Sequence, residues 1–295
     1  MANPIRPTTF DTIIGQETVI QRLKITIAGC QDGCVFPHTI IDGPPGLGKT
    51  TIAQAIAKEL NQKIFVLNGA NLRSNKNIIP YLLAVEERTV LFIDEIHRLP
   101  KIVEEFLYPV MEDFTVTIMQ EKTPELINIP QFTLIGATTS GGSLSQPFYD
   151  RFVIKEHLNF YEPSDLADLA RLNAQKLGLM LSKDEMIEIA KRSKGTPRIL
   201  NARLQWYKSF TNYHKKKMSI EEVFSEQGID DKGFDNYDRK YINVLKNSKG
   251  TALGVNSISA MTGIAVETIV NNIEPFMIRM GYVIRTSKGR IIGKI

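Results

Sequence analysis

Residues 43–50 read Gly43-Pro44-Pro45-Gly46-Leu47-Gly48-Lys49-Thr50. They follow the apolar run His38-Thr39-Ile40-Ile41-Asp42 and precede a stretch with Ile52, Ile56 and Leu60 four apart. That spacing predicts one face of a helix over 51–60, and the run before it predicts a strand. A G-x-x-x-x-G-K-[ST] pattern between a strand and a helix reads as a phosphate-binding loop. Gly46 and Gly48 free backbone N–H groups to close around phosphate oxygens, and the helix turns its N-terminus toward the negative charge. In this reading Lys49 reaches the β- and γ-phosphates of ATP, and Thr50 offers its hydroxyl to Mg²⁺.

Outward from the loop, Thr89-Val90-Leu91-Phe92-Ile93-Asp94 is nearly all apolar, the pattern of a strand buried on both faces. Phe132 to Ala137 predicts another such strand. Between them, Lys101 to Met111 carries Val103, Phe106, Leu107 and Val110 on one helical side. Strands separated by helices predict an α/β fold with a parallel sheet covered on both faces. Asp94, at a strand end, is placed to hold a hydrated Mg²⁺, and Glu95 to polarise an attacking water. Adjacent carboxylates there also cap a following helix, but the phosphate loop favours the catalytic reading. Thr138 and Thr139 end the second buried strand, where the Thr139 hydroxyl can stand near a terminal phosphate. A threonine pair is also an ordinary strand end.

After Phe160 the pattern turns helical. Pro163-Ser164 opens a helix carrying Leu166, Leu169 and Leu177. Ser182 and Glu185 form a capping box, and Thr196-Pro197 starts a third helix with proline at its favoured first position. Asp231-Lys232-Gly233 reads as a linker. Beyond it come short helices to Met280-Gly281, then Tyr282 to Thr286, a turn at Ser287-Lys288-Gly289, and Arg290-Ile291-Ile292. Short helices followed by a two-stranded hairpin predict a winged helix. The expected domains are 1–163, 164–231 and 232–295.

Charge sharpens this division. Residues 232–295 hold ten Lys or Arg against four Asp or Glu, whereas residues 1–231 hold 26 against 28. A basic C-terminal module reads as a polyanion-binding surface or as a solvated face. Arg285, Lys288 and Arg290 lie at or beside the predicted wing turn and are its candidate DNA contacts. Phe276 and Tyr282 read as core, and Lys215-Lys216-Lys217 as a solvated loop. Arg198, in the first turn of its helix, opposes the helix dipole, and a bound phosphate accounts for it. Arg151, before a strand, reads as the partner of Asp150 or another acid, or as an arginine reaching a neighbouring subunit's nucleotide.

Other classes are excluded. No apolar run approaches the ~18 residues of a membrane span. Met1 to Phe10 lacks the apolar stretch of a secretory signal. Two cysteines cannot build a disulfide framework, and a reducing, cytoplasmic setting is expected. Cys30, Cys34 and His38 fall short of a four-ligand zinc set. No serine–histidine–acid or paired-carboxylate arrangement stands out.

With these residues in view, the chain resembles AAA+ ATPases and, within them, the RuvB family of Holliday-junction branch-migration motors. The likeness rests on Arg6-Pro7 with Ile14-Gly15-Gln16, Gly43 to Thr51, Leu91 to Leu99, Val103 to Asp113 and Phe132 to Thr139. It continues through Asp150-Arg151-Phe152, Gly195 to Ile199, Gly233-Phe234-Asp235 with Asp238-Arg239-Lys240, Glu274-Pro275, Arg285-Thr286 and Gly289-Arg290. The resemblance implies a hexameric ring on duplex DNA with ATP bound between subunits. It assigns ATP contacts to Ile5, Arg6, Gly46, Lys49, Thr50, Thr51, Glu112, Asp113, Phe114, Tyr161 and Arg198. It makes Arg151 the trans-acting arginine and gives Arg285 and Arg290 to DNA. Three positions depart from the family pattern. Residues 115–131 form a hairpin about four residues shorter than the one that docks on the partner RuvA, which counts against that partnership. Tyr149 replaces an arginine before the Asp-Arg-Phe triplet, and Val266 replaces a basic residue.

The expected activity is ATP-driven translocation on duplex DNA at four-way junctions, in recombination and repair. A clamp-loader or initiator-like switch is the alternative within AAA+, and a nucleotide-sensing winged-helix regulator is one outside it. Glu95 and Arg151 favour hydrolysis, since binding alone needs neither.

Overall fold

The structure is a computed structural model, and it describes residues 5–30, 34–120, 123–139 and 141–294. The chain divides into two compact units. One comprises residues 6–43 and 48–159; the other gathers Ile5, the loop tip Pro44–Leu47 and the stretch from Phe160 onward.

The first unit is a parallel sheet between helices. Its strands are β1 (Thr39–Asp42), β2 (Ile64–Asn68), β3 (Val90–Asp94), β6 (Thr133–Thr138) and β7 (Ile154–His157), in the order β2-β3-β6-β1-β7. The helices α1 (Glu17–Gly29), α2 (Lys49–Glu59), α3 (Asn75–Leu83), α4 (Lys101–Glu112) and α5 (Gln146–Asp150) connect them. Between α4 and β6 lies an antiparallel pair, β4 (Thr115–Gln120) and β5 (Thr123–Asn128). Every residue of β6 is buried, as is β3 up to Asp94, whereas β2 and β7 at the edges are half-exposed. That gradient matches the central places of β3 and β6 in the sheet and the edge places of β2 and β7. Register pairs Asp42 with Thr138 and Ile93 with Gly136, so the C-terminal ends of β1, β6 and β3 lie side by side. Ligands of open parallel sheets bind at such ends.

The second unit holds both segments read as lid and as C-terminal module. Its first part is α6 (Pro163–Leu177), α7 (Lys183–Lys191), α8 (Pro197–His214) and α9 (Ile220–Glu226). Ser182 and Glu185 cap α7 reciprocally, as expected, and Ser219 with Glu222 does the same for α9. Its second part is α10 (Asn236–Asn247), α11 (Val255–Thr262), α12 (Val266–Thr268), a π-helical turn at Ile269–Ile273, α13 (Glu274–Arg279) and the hairpin β8 (Val283–Thr286) with β9 (Gly289–Ile292). Tyr241, Leu245, Ile258, Ile269, Met277 and Val283 fill its core. Phe276 belongs to that core and Tyr282 packs against it. Thr286 pairs with Gly289, so the wing turn is the two residues Ser287-Lys288.

Candidate nucleotide site and nucleic-acid module

In the α/β unit, β1 ends where the phosphate loop begins, and Gly48 caps α2 with a left-handed backbone. The first turn of α2 carries no acid, so its N–H groups are open to an anion. The Lys49 ammonium, almost fully buried, donates to the Gly43 carbonyl at 2.6 Å. The Thr50 hydroxyl donates to Asp94 Oδ2 at 3.2 Å, bringing together the two oxygens expected to serve Mg²⁺. Arg6 donates through Nε to the Thr51 hydroxyl at 3.2 Å.

Glu95 sits in the left-handed region, with φ 52° and ψ 44°, a conformation a non-glycine residue adopts only under constraint. Its carboxylate lies 3.3 Å from His97 Nε2 and 3.5 Å from the Thr139 hydroxyl. The other nitrogen of His97 lies 2.9 Å from the Thr138 hydroxyl. Burial pushes the His97 imidazole below its ordinary pKa, with Glu95 working against that shift. A neutral imidazole thus bridges the ends of β3 and β6. In the sequence His97 is only one residue of the Leu91 to Leu99 stretch that carries the resemblance, and nothing there signals this contact.

Arg151, at the end of α5, pairs with Glu112 at 3.1 Å, donates to the Pro147 carbonyl at 2.7 Å and stacks on Tyr108, 4.0 Å from the ring centre. Its acid is therefore Glu112, while Asp150 faces Gln146 and Lys155. Among the described residues, Arg151 Nε is buried without a hydrogen-bond partner. The guanidinium borders an open cavity of about 560 Å³ with Met111, Gln146 and Pro147. Glu112 thus meets an arginine, Asp113 caps α4, and Phe114 packs edge-on against Phe132. Tyr149 is half-buried beneath the Lys155 ammonium.

In the second unit, Tyr161 is buried and its hydroxyl donates to the Leu47 carbonyl at 3.5 Å. The Arg198 N–H donates to the Gly46 carbonyl at 3.3 Å. Gly46 has φ +86°, and a Cβ there would stand 2.9 Å from that of Arg198, so this approach requires glycine. Arg198 itself is exposed in an α8 first turn that has no acid to balance it. Ile5 is buried.

The wing corrects one expectation. Arg285 and Lys288 are exposed, but Arg290 is only 7% exposed. Its guanidinium holds both Glu274 oxygens, Nε to Oε1 at 2.7 Å and Nη2 to Oε2 at 3.1 Å. Tyr241 donates to the same carboxylate at 3.0 Å, and the Arg290 backbone exchanges two hydrogen bonds with Leu253. With its charge spent inside the core, Arg290 is not available to a phosphate. Arg290→Ala is expected to leave Glu274 buried and unpaired, destabilising the C-terminal module by about 3–5 kcal/mol, read from its urea unfolding midpoint. Arg285→Ala with Lys288→Ala is expected instead to weaken duplex binding uniformly and lower the slope of log affinity against log salt by about one per removed cation. An unchanged slope takes both residues out of the interface.

A parallel sheet with a phosphate loop, an acidic strand end, a helical lid and a winged helix defines an AAA+ nucleotide-hydrolase class. Comparison gives the family. Residues 5–158 match the Holliday junction DNA helicase RuvB P-loop domain, residues 161–235 the RuvB AAA lid domain, and residues 231–295 the RuvB C-terminal winged helix domain. The chain is 40% identical to the Holliday junction branch migration complex subunit RuvB of Campylobacter hominis, over 98% of this chain and 87% of that protein. It is 37% identical to the Fusobacterium nucleatum subunit, over 98% and 90%. It superposes on the Thermotoga maritima RuvB Holliday junction branch migration motor with a TM-score of 0.90 and 35% identity, covering 99% of this chain and 96% of that one. The chain belongs to the RuvB family.

Proposed function

We propose that this protein is an ATP-hydrolysing motor that moves four-way DNA junctions by translocating on duplex DNA in the cytoplasm, as a closed, head-to-tail ring of six copies. The observation that carries the reading is Arg151. Its partly exposed guanidinium borders an open cavity at the rim of its own α/β unit, in a chain that also has Lys49, Asp94 and Glu95 in place. An arginine so placed serves a nucleotide held by a neighbouring copy.

The Thr50 and Asp94 oxygens, 3.2 Å apart, suit a hard cation, and we assign Mg²⁺ to them. Held there, the ion would supply positive charge to offset the negative charge that develops on the phosphoryl oxygens. Lys49 and the α2 N-terminus orient the phosphates, Glu95 draws the proton of the attacking water, and Thr139 with His97 fixes that carboxylate. A junction-binding partner of RuvA type remains part of the proposal. Register places Thr117, Met119, Pro124 and Leu126 on one face of the β4–β5 pair, and Met119 and Leu126 are largely exposed there. Glu121 and Lys122 lie outside the described residues.

Steady-state ATPase with four-way junction, linear duplex or no DNA tests the function. Stimulation by DNA is expected. Turnover indifferent to DNA favours the sensing or switch-like alternatives.

A further inference from the structure

The five basic residues from Phe276 onward look alike in sequence, yet Arg279 is spent differently from Arg285 and Lys288. It ends α13 and turns to the chain segment 160–162. Its Nη2 donates to Glu162 Oε1 at 2.6 Å, Nη1 donates to the Tyr161 carbonyl at 3.4 Å, and the guanidinium lies 5.2 Å from the Phe160 ring centre. Three consecutive residues are thus gripped by one planar fork, a task that lysine, a compact charge without that plane, cannot perform.

The same guanidinium packs on Gly195. That residue has φ +71°, and a Cβ there would lie 3.0 Å from Arg279 Nη1 and 3.1 Å from Phe160. Both segments beneath Arg279 lead directly to the phosphate loop. The Tyr161 N–H donates to the Gly195 carbonyl at 2.9 Å, and its hydroxyl reaches Leu47. Gly195 leads into Thr196, which caps α8, and the Arg198 N–H reaches Gly46. One compact unit accordingly contains the winged helix, the lid and the loop tip.

We infer that Arg279 is a positioning residue that ties the winged-helix module to the two segments holding the phosphate loop, so that ATP affinity depends on a side chain of the DNA-binding module. The inference rests on the proposed ATP-driven function, and it goes further by naming the physical link. The Glu162 backbone caps α6, and its carboxylate pairs with Arg279. Removing either end of the latch frees Tyr161 and Gly195 to shift against the loop, which weakens nucleotide binding without touching the wing surface.

The test is a double-mutant cycle on the full chain with methylanthraniloyl-ATP as probe. Arg279→Ala and Glu162→Ala are each expected to weaken its binding roughly two- to five-fold, the scale of an ion pair whose acid is largely exposed. The double variant is expected to be no worse than either single one. Arg279→Lys does not restore affinity. In steady state KM for ATP rises by the same factor, whereas mere loss of folded protein would lower kcat alone. Duplex affinity and its salt slope stay at wild-type values. Unchanged nucleotide affinity in both single variants overturns the inference, as do additive effects in the double. So does a fall in duplex affinity with a shallower salt slope, which makes Arg279 a phosphate contact. Absence of DNA-stimulated turnover in the wild type counts against the motor reading, while the binding cycle still decides the latch.

Discussion

Glu95→Gln is expected to lower ATP turnover by a factor on the order of 10²–10⁴, the range removed with a positioned general base. The amide is isosteric, so it keeps the contact with Thr139 and can still meet the neutral His97. What it cannot do is accept the water proton. Nucleotide binding should therefore survive, because the Lys49 ammonium, the α2 N-terminus and the Thr50–Asp94 pair are untouched. Burst-free ATPase assays beside equilibrium nucleotide binding separate the two effects. A variant that binds ATP poorly would show that Glu95 supports the loop. One that hydrolyses normally would give the base to another group.

Arg151→Ala is expected to cost more, on the order of 10³-fold or above in kcat, since an arginine offsetting charge on the transferred phosphoryl group carries effects of that size. Tyr149, half-buried under Lys155, supplies no substitute guanidinium. The free protomer already gives Arg151 a carboxylate, Glu112, and a ring, Tyr108. Those contacts hold the guanidinium at the surface at modest strength, because an ion pair with its acid half-exposed is worth ~0–1 kcal/mol. A neighbour's γ-phosphate can outbid such a partner. The defect should appear at concentrations where the copies assemble and should leave nucleotide affinity nearly unchanged. Wild-type turnover in this variant would return Arg151 to a structural role at the end of α5.

Much of this machinery is legible in the sequence. The phosphate loop, the buried strands β3 and β6, the α7 capping box and the wing hairpin all carry their signal within a few residues. Strand β2 was missed although Ile64-Phe65-Val66-Leu67 is a continuous apolar run, because so short a run does not by itself separate a strand from a helix segment. The basic cluster after Phe276 misled for a different reason. Arg290 and Arg279 differ from Arg285 only in what faces them, and those partners, Glu274 and the 160–162 segment, are set by tertiary packing. Glu274 itself was the available clue, an acid in a helix otherwise flanked by the core residues Ile273, Phe276 and Met277. His97 escaped for the same reason, since its bridge needs the ends of β3 and β6 to be neighbours.

The central claim is that hydrolysis occurs in a pocket completed by the next copy. Mixing Glu95→Gln protein with Arg151→Ala protein on four-way junction DNA tests it most directly. Each alone is inactive, but a mixed head-to-tail ring places an intact Glu95 beside a neighbour's intact Arg151 at roughly a quarter of its interfaces. The mixture is therefore expected to regain DNA-stimulated ATPase that neither parent has. A mixture no more active than its better parent would contradict the shared pocket.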